Sequence, residues 1–166
     1  MKTAHLLNRL MLAAASLFFA VGGAVAAEKP STGVSLSVAL HDAKQLAAQN
    51  PALRVLRVEG NSMLPFFGSG AVLVVKPMPA SGLRTGMVVV YTNRFNETVA
   101  HRVVARTEAG LEVRGYNNDR ADSTAVTDAN LIGVVYVTFH SNSQVDAPML
   151  AAVNGGTQVA LAAPAR

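Results

Sequence analysis

A mainly β domain of short antiparallel strands, with one short helix in front, is the fold class this sequence predicts, on three observations. Six valine-rich runs recur between Leu53 and His140, and Gly, Pro, Asn and Asp separate them. One stretch with helical spacing lies ahead of them all. β-Branched residues fit a pleated, half-buried surface, and the punctuating residues supply turn geometry.

The elements follow in chain order. Residues 1–27 have the make-up of a targeting segment: Lys2 and Arg9, an apolar run Leu10 to Val21 broken only by Ser16, then small residues with Ala24-Val25-Ala26. A cleaved signal peptide and a retained N-terminal membrane anchor both fit, since Leu10 to Ala27 is about long enough to span a bilayer. Positive charge stays inside, so both place the chain after Glu28 in the periplasm or on the extracytoplasmic face of a bacterial inner membrane. Residues 28–52 read as a linker and a helix over Ser37 to Gln49, which stops before Asn50-Pro51. Val38, Ala39, Leu46 and Ala47 are its apolar residues, assigned to packing on the sheet.

Residues 53–145 are the β domain. Its expected strands are Leu53 to Val58, Ala71 to Lys76, Met87 to Thr92, Thr98 to Arg106, Leu111 to Gly115 and Leu131 to His140. Pro77 to Gly82 and Asn93 to Asn96 read as loops, and Glu108-Ala109-Gly110 as a hairpin turn. The tail 146–166 is rich in alanine and broken by Pro148, Gly155-Gly156 and Pro164; disorder, or a short helix around Met149 to Val153, is expected there.

Composition narrows the functions. Of 14 basic residues, Lys2 and Arg9 lie in the leader, which leaves 12 against 10 acidic residues, a net of +2. No basic cluster is interleaved with aromatics, so nucleic acid is not an expected partner. The absence of cysteine excludes disulfides and thiolate metal sites, and no two histidines have metal-ligand spacing with an acid. No cofactor or metal is expected, and the sequence leaves the oligomeric state open.

Three residue types carry chemistry. Ser62 lies in Gly60-Asn61-Ser62-Met63-Leu64-Pro65, where the glycine permits unusual φ and the proline stiffens the exit. Such a turn presents a side chain outward with its own N–H beside it, half of an oxyanion hole. His101 lies in the apolar run Val99 to Val104, and Asp119 and Asp122 follow Gly115-Tyr116-Asn117-Asn118. Hydroxyl, imidazole and carboxylate are the parts of an activated serine nucleophile. A turn serine, a buried structural histidine and a capping aspartate near a short helix around Thr124 are the alternatives for each residue alone.

The ordered set resembles the signal peptidase I superfamily. Ser62-Met63-Leu64-Pro65 is similar to its Ser-Met-x-Pro box, and Gly68-Ser69-Gly70 with Ala71 to Val74 to the segment behind the nucleophile. Arg84 to Tyr91 resembles the Gly-Asp-Ile-Val-Val-Phe box, and Val99 to Val104 the strand carrying the base. Gly115-Tyr116-Asn117-Asn118 with Asp122-Ser123 is similar to the Gly-Asp-Asn box and its distal Asp-Ser. The resemblance spans about Val55 to Val135 and implies a signal peptidase/SOS-repressor-protease-like β-fold. Histidine at 101, where the usual bacterial type has lysine, resembles the endoplasmic-reticulum type. The implied roles are nucleophile for Ser62, base for His101 and orienting carboxylate for Asp122, with Asp119 as runner-up. Gly60, Asn61, Met63 and Pro65 are the implied substrate-binding positions, and Leu64, Phe66 and Phe67 further pocket or lipid-facing residues.

The pattern departs from the family at three pairs that lack their acid, Gly70-Ala71, Gly86-Met87 and Gly115-Tyr116, and at Gly60, where many bacterial members carry a serine hydroxyl. The implied function is a serine endopeptidase that acts near a membrane on exported precursor proteins or peptides, cutting extended A-x-A-like segments through an acyl-enzyme. The alternative is a weakened or silent relative that binds peptides or proteins in the periplasm.

Overall fold

The computed structural model describes residues 28–143 and the strand Gln158–Leu161; the leader expected at 1–27 and most of the tail lie outside the described residues. Helix α1 spans Leu36–Ala48 and begins at Ser35, whose hydroxyl accepts a hydrogen bond from the Val38 backbone N–H at 3.4 Å. Its buried stripe is Leu36, Ala39, Leu40 and Ala43, the i, i+3, i+4, i+7 spacing of one helical face. That stripe packs on Val72 and Val74 of the sheet. The expected helix is present, but Val38 lies off the packing face and is 40% exposed.

The six expected strands form within one residue of their expected ends: β1 (Arg54–Glu59), β2 (Val72–Lys76), β3 (Val88–Thr92), β4 (Thr98–Thr107), β5 (Gly110–Arg114) and β6 (Leu131–Phe139). A seventh, β7 (Gln158–Leu161), arises inside the tail, where no strand was expected. The sheet order is β5-β4-β3-β6-β2-β1-β7. The first six strands pair antiparallel, and β7 joins β1 in parallel. Among the described residues the fold is therefore mainly β with one α-helix, as expected, with one parallel strand added.

Strand β2 lies inside the sheet between β6 and β1, and Val72, Leu73, Val74 and Val75 are all fully buried. Alternate residues of a strand point to opposite faces, so two of these meet the helix while Leu73 and Val75 face a second core. Val90 of β3 and Ala100 of β4 share that second core with Leu56 and Val58 of β1. Strands from both halves of the sheet thus close over one interior, and β7 at one end lies against β4 near the other. No helix among the described residues is long and apolar enough to cross a membrane.

Candidate active site

Ser62 stands on the turn that leaves β1. Gly60 has φ 97°, a conformation that disfavours any side chain, so glycine there is a backbone requirement. The Gly60 N–H donates to Ser69 Oγ at 2.8 Å, and the Ser69 N–H donates to Asn61 Oδ1 at 3.4 Å. These bonds tie the Ser62 turn to the Gly68-Ser69-Gly70 turn. From the other side, the Asn117 N–H donates to the Ser62 carbonyl at 2.8 Å. Gly115 lies so close that a Cβ on it would stand 2.6 Å from that carbonyl oxygen.

That approach gives the Gly-x-Asn-Asn segment a mechanical role. Gly115→Ala must push the Ser62 backbone aside, and overpacking of this kind costs about 1–3 kcal/mol. Urea unfolding is expected to show that loss, with peptide turnover falling further than stability because Ser62 itself moves.

His101 is on β4 opposite Val89 of β3, in a register that turns its imidazole inward. Ser62 is 2% exposed and His101 1%. His101 Nε2 is 2.9 Å from Ser62 Oγ, and His101 Nδ1 is 2.5 Å from Asp122 Oδ2. Asp122 belongs to the loop after β5 and is fixed by its own N–H, which donates to the Val113 carbonyl at 2.8 Å. Three residues from distant parts of the chain therefore form one hydrogen-bonded line. With the Nδ1 proton held by the carboxylate, Nε2 is left as acceptor for the serine hydroxyl.

Tyr91 is a fourth member that sequence reasoning missed. Its phenol, fully buried on β3, donates to the same Asp122 Oδ2. Burial, then the bond to Asp122 and its charge, push the phenol well above its ordinary value of 10.0. The signal was a single polar phenol within Val88-Val89-Val90-Tyr91, at the position of the family's phenylalanine.

Two consequences follow for Tyr91→Phe. Loss of a hydrogen bond to a charged group is expected to lower stability at pH 7 by about 1.5–3 kcal/mol. A phenol raised in the folded state stays protonated there while the unfolded chain ionises above pH 10, so folding free energy is lost as pH rises beyond 10. Denaturation from pH 8 to 11 is expected to show that alkaline decline in the native chain and a shallower one in Tyr91→Phe.

The remaining predicted positions are placed as follows. Asn61 is exposed, with its side-chain oxygen engaged by Ser69. Met63 is 0% exposed and packs in the core with Leu56 and Val58. Leu64 and Phe67 are also buried. Pro65 is exposed, and Phe66, 54% exposed, stacks on Tyr116 with ring centroids 4.0 Å apart. Arg102 lies over the other neighbourhood of that Tyr116 ring, 4.2 Å from its centroid. Asp119 and Ser123 are exposed, and Asp122 is the aspartate that meets His101. In place of the short helix expected near Thr124 the chain bends at Ser123 and Thr124, and Val126 bridges to Leu111.

The three missing acids have packing explanations. Ala71 is fully buried, where a carboxylate would be costly, and Met87 packs against the core that holds Tyr91. Tyr116 is occupied by Phe66 and Arg102. Among the described residues, no group of three or more His, Asp and Glu is placed to hold a metal ion.

Comparison with known proteins bears on the family of the chain. Signal peptidase I W of Bacillus subtilis (strain 168) is 34% identical to this chain over 79 residues, which is 45% of the chain and 42% of that relative. The chain thus spans less than half the length of the relative it matches. No solved structure matches it. The family described as Peptidase S24-like matches residues 20–136, more than half of the sequence and every strand from β1 to β5. On that match, the chain belongs to the Peptidase S24-like family.

Proposed function

We propose that this protein is a serine endopeptidase in which Ser62 attacks the scissile carbonyl of an extended peptide and His101 takes the hydroxyl proton. The line of contacts from Ser62 Oγ through His101 to Asp122 is the observation that carries this reading. Asp122 holds the imidazole in the required tautomer and stabilises its charged form, and Tyr91 positions Asp122. The tetrahedral intermediate collapses as His101 gives the proton to the departing amine, leaving an ester on Ser62. Water, with His101 again as base, hydrolyses that ester and restores the hydroxyl.

The Ser62 backbone N–H is the first oxyanion donor in this scheme, on a turn held by Asn117 and Ser69. The substrates are extended segments of exported precursors with small residues at the first and third positions before the cut. Resemblance to the signal peptidase pattern and the leader-like residues 1–27 support that choice. The leader-like residues also support a position on the extracytoplasmic face of a bacterial inner membrane, and exposed Phe66 is our candidate for a lipid-facing residue there. The test is incubation of detergent-solubilised full-length protein with an A-x-A precursor, with the cut located by mass spectrometry. A cut after the second alanine is expected; an intact precursor in the presence of folded protein would sink the reading.

A second reading, a silent peptide-binding relative, draws on the burial of Ser62 and His101. Turnover in the same assay excludes it.

A further inference from the structure

Strand β7 runs where a peptide bound for Ser62 would run. It pairs in parallel with β1 from Leu56 opposite Gln158 to Glu59 opposite Leu161, and Glu59 is three residues before Ser62. The direction of β7 is therefore toward the serine turn, the direction in which residues preceding a scissile bond must approach it. β7 also lies against β4, the strand that carries His101. β1 and β4 are not paired with each other in the sheet, so β7 fills the space between the strand leading to the nucleophile and the strand holding the base.

From this placement we infer that Gln158–Leu161 is an internal occupant of the peptide track, a competitor that an outside peptide displaces to reach Ser62, so that it slows cleavage without preventing it. The inference rests on the peptidase reading for the identity of the track. Ser62 and His101 are 2% and 1% exposed, whereas attack requires a carbonyl carbon at the hydroxyl. A strand of four residues offers few backbone bonds, but tethering gives it an effective concentration in the mM range. An outside peptide competes against that concentration, and its apparent affinity falls by the fraction of time the track is open.

The experiment uses full-length Ser62→Ala, which cannot turn over, and the same chain carrying Val159→Pro and Ala160→Pro. Proline has no N–H to give a neighbouring strand, and two adjacent prolines interrupt the β7 ladder whichever residue donates. The probe is a fluorescent peptide with the sequence of residues 155–163, followed by anisotropy. The apparent Kd is expected to fall at least tenfold in the double-proline chain. Equal affinity in the two chains, or binding by neither, would overturn the inference. A Val159→Gly, Ala160→Gly chain weakens the strand without proline, and circular dichroism melts establish that each chain is folded. Tighter binding without any precursor cleavage by the Ser62 chain leaves occlusion standing and removes the peptidase; cleavage with unchanged binding does the reverse.

Discussion

Ser62→Ala is expected to abolish precursor cleavage, with a fall on the order of 10⁶-fold in kcat. The hydroxyl is the only atom lost, and the turn that carries it is held by backbone bonds from Asn117 and by Gly60 and Ser69, so the fold is retained. His101→Ala is expected to match it, because a serine without a base at Nε2 is a poor nucleophile at neutral pH. The informative comparison is the double variant. Residues that act as a unit are non-additive, so Ser62→Ala with His101→Ala should be no slower than either alone. Single-turnover cleavage of an A-x-A precursor, with melts of each variant, checks this; independent, multiplying losses would mean that the two side chains do not act together.

Asp122→Asn should cost on the order of 10⁴-fold in kcat with little change in KM. The substitution keeps the shape of the side chain and the Asp122 N–H bond to Val113, but removes the negative charge facing His101. A carboxamide also carries N–H donors; turned toward Nδ1, they favour the tautomer that protonates Nε2, which then has nothing to accept from Ser62. Asp119→Asn is the matched control. That residue is exposed on the same loop, and its variant is expected to turn over at the native rate. A reversed pattern would reassign the orienting carboxylate.

Much of the fold was legible because its signals are local. β1 and β5 carry period-two burial, and strand ends are set by residues such as Asn96 at φ 61° and Gly110 at φ 130°, which turn the chain. Ser62, His101 and Asp122 stood out because each lies in a patterned segment. What the sequence concealed was set by pairing across long separations. β7 is four residues within an alanine-rich tail, without a period of its own, and it becomes a strand only beside β1, about a hundred residues earlier. The choice of Asp122 over Asp119 depends on the bond to Val113, and the bond from Tyr91 depends on the register of β3 against β4. Met63 follows the same rule: beside a nucleophile, an apolar residue reads equally as a pocket wall or as core, and its packing with Leu56 and Val58 appears only in three dimensions.

The sheet order has a consequence for a chain synthesised from its N-terminus. β1 and β2 form one ribbon, which holds Ser62, while β3, β4 and β5 form another, which holds His101 and leads to Asp122. Only β6 (Leu131–Phe139) pairs with both ribbons. Until that late segment has been made, the two ribbons have no strand pairing that joins them, only the shared core and the Asn117 bond to Ser62. On the proposed function, a nascent or truncated chain that stops before β6 lacks the strand that joins the serine-bearing and histidine-bearing ribbons into one sheet.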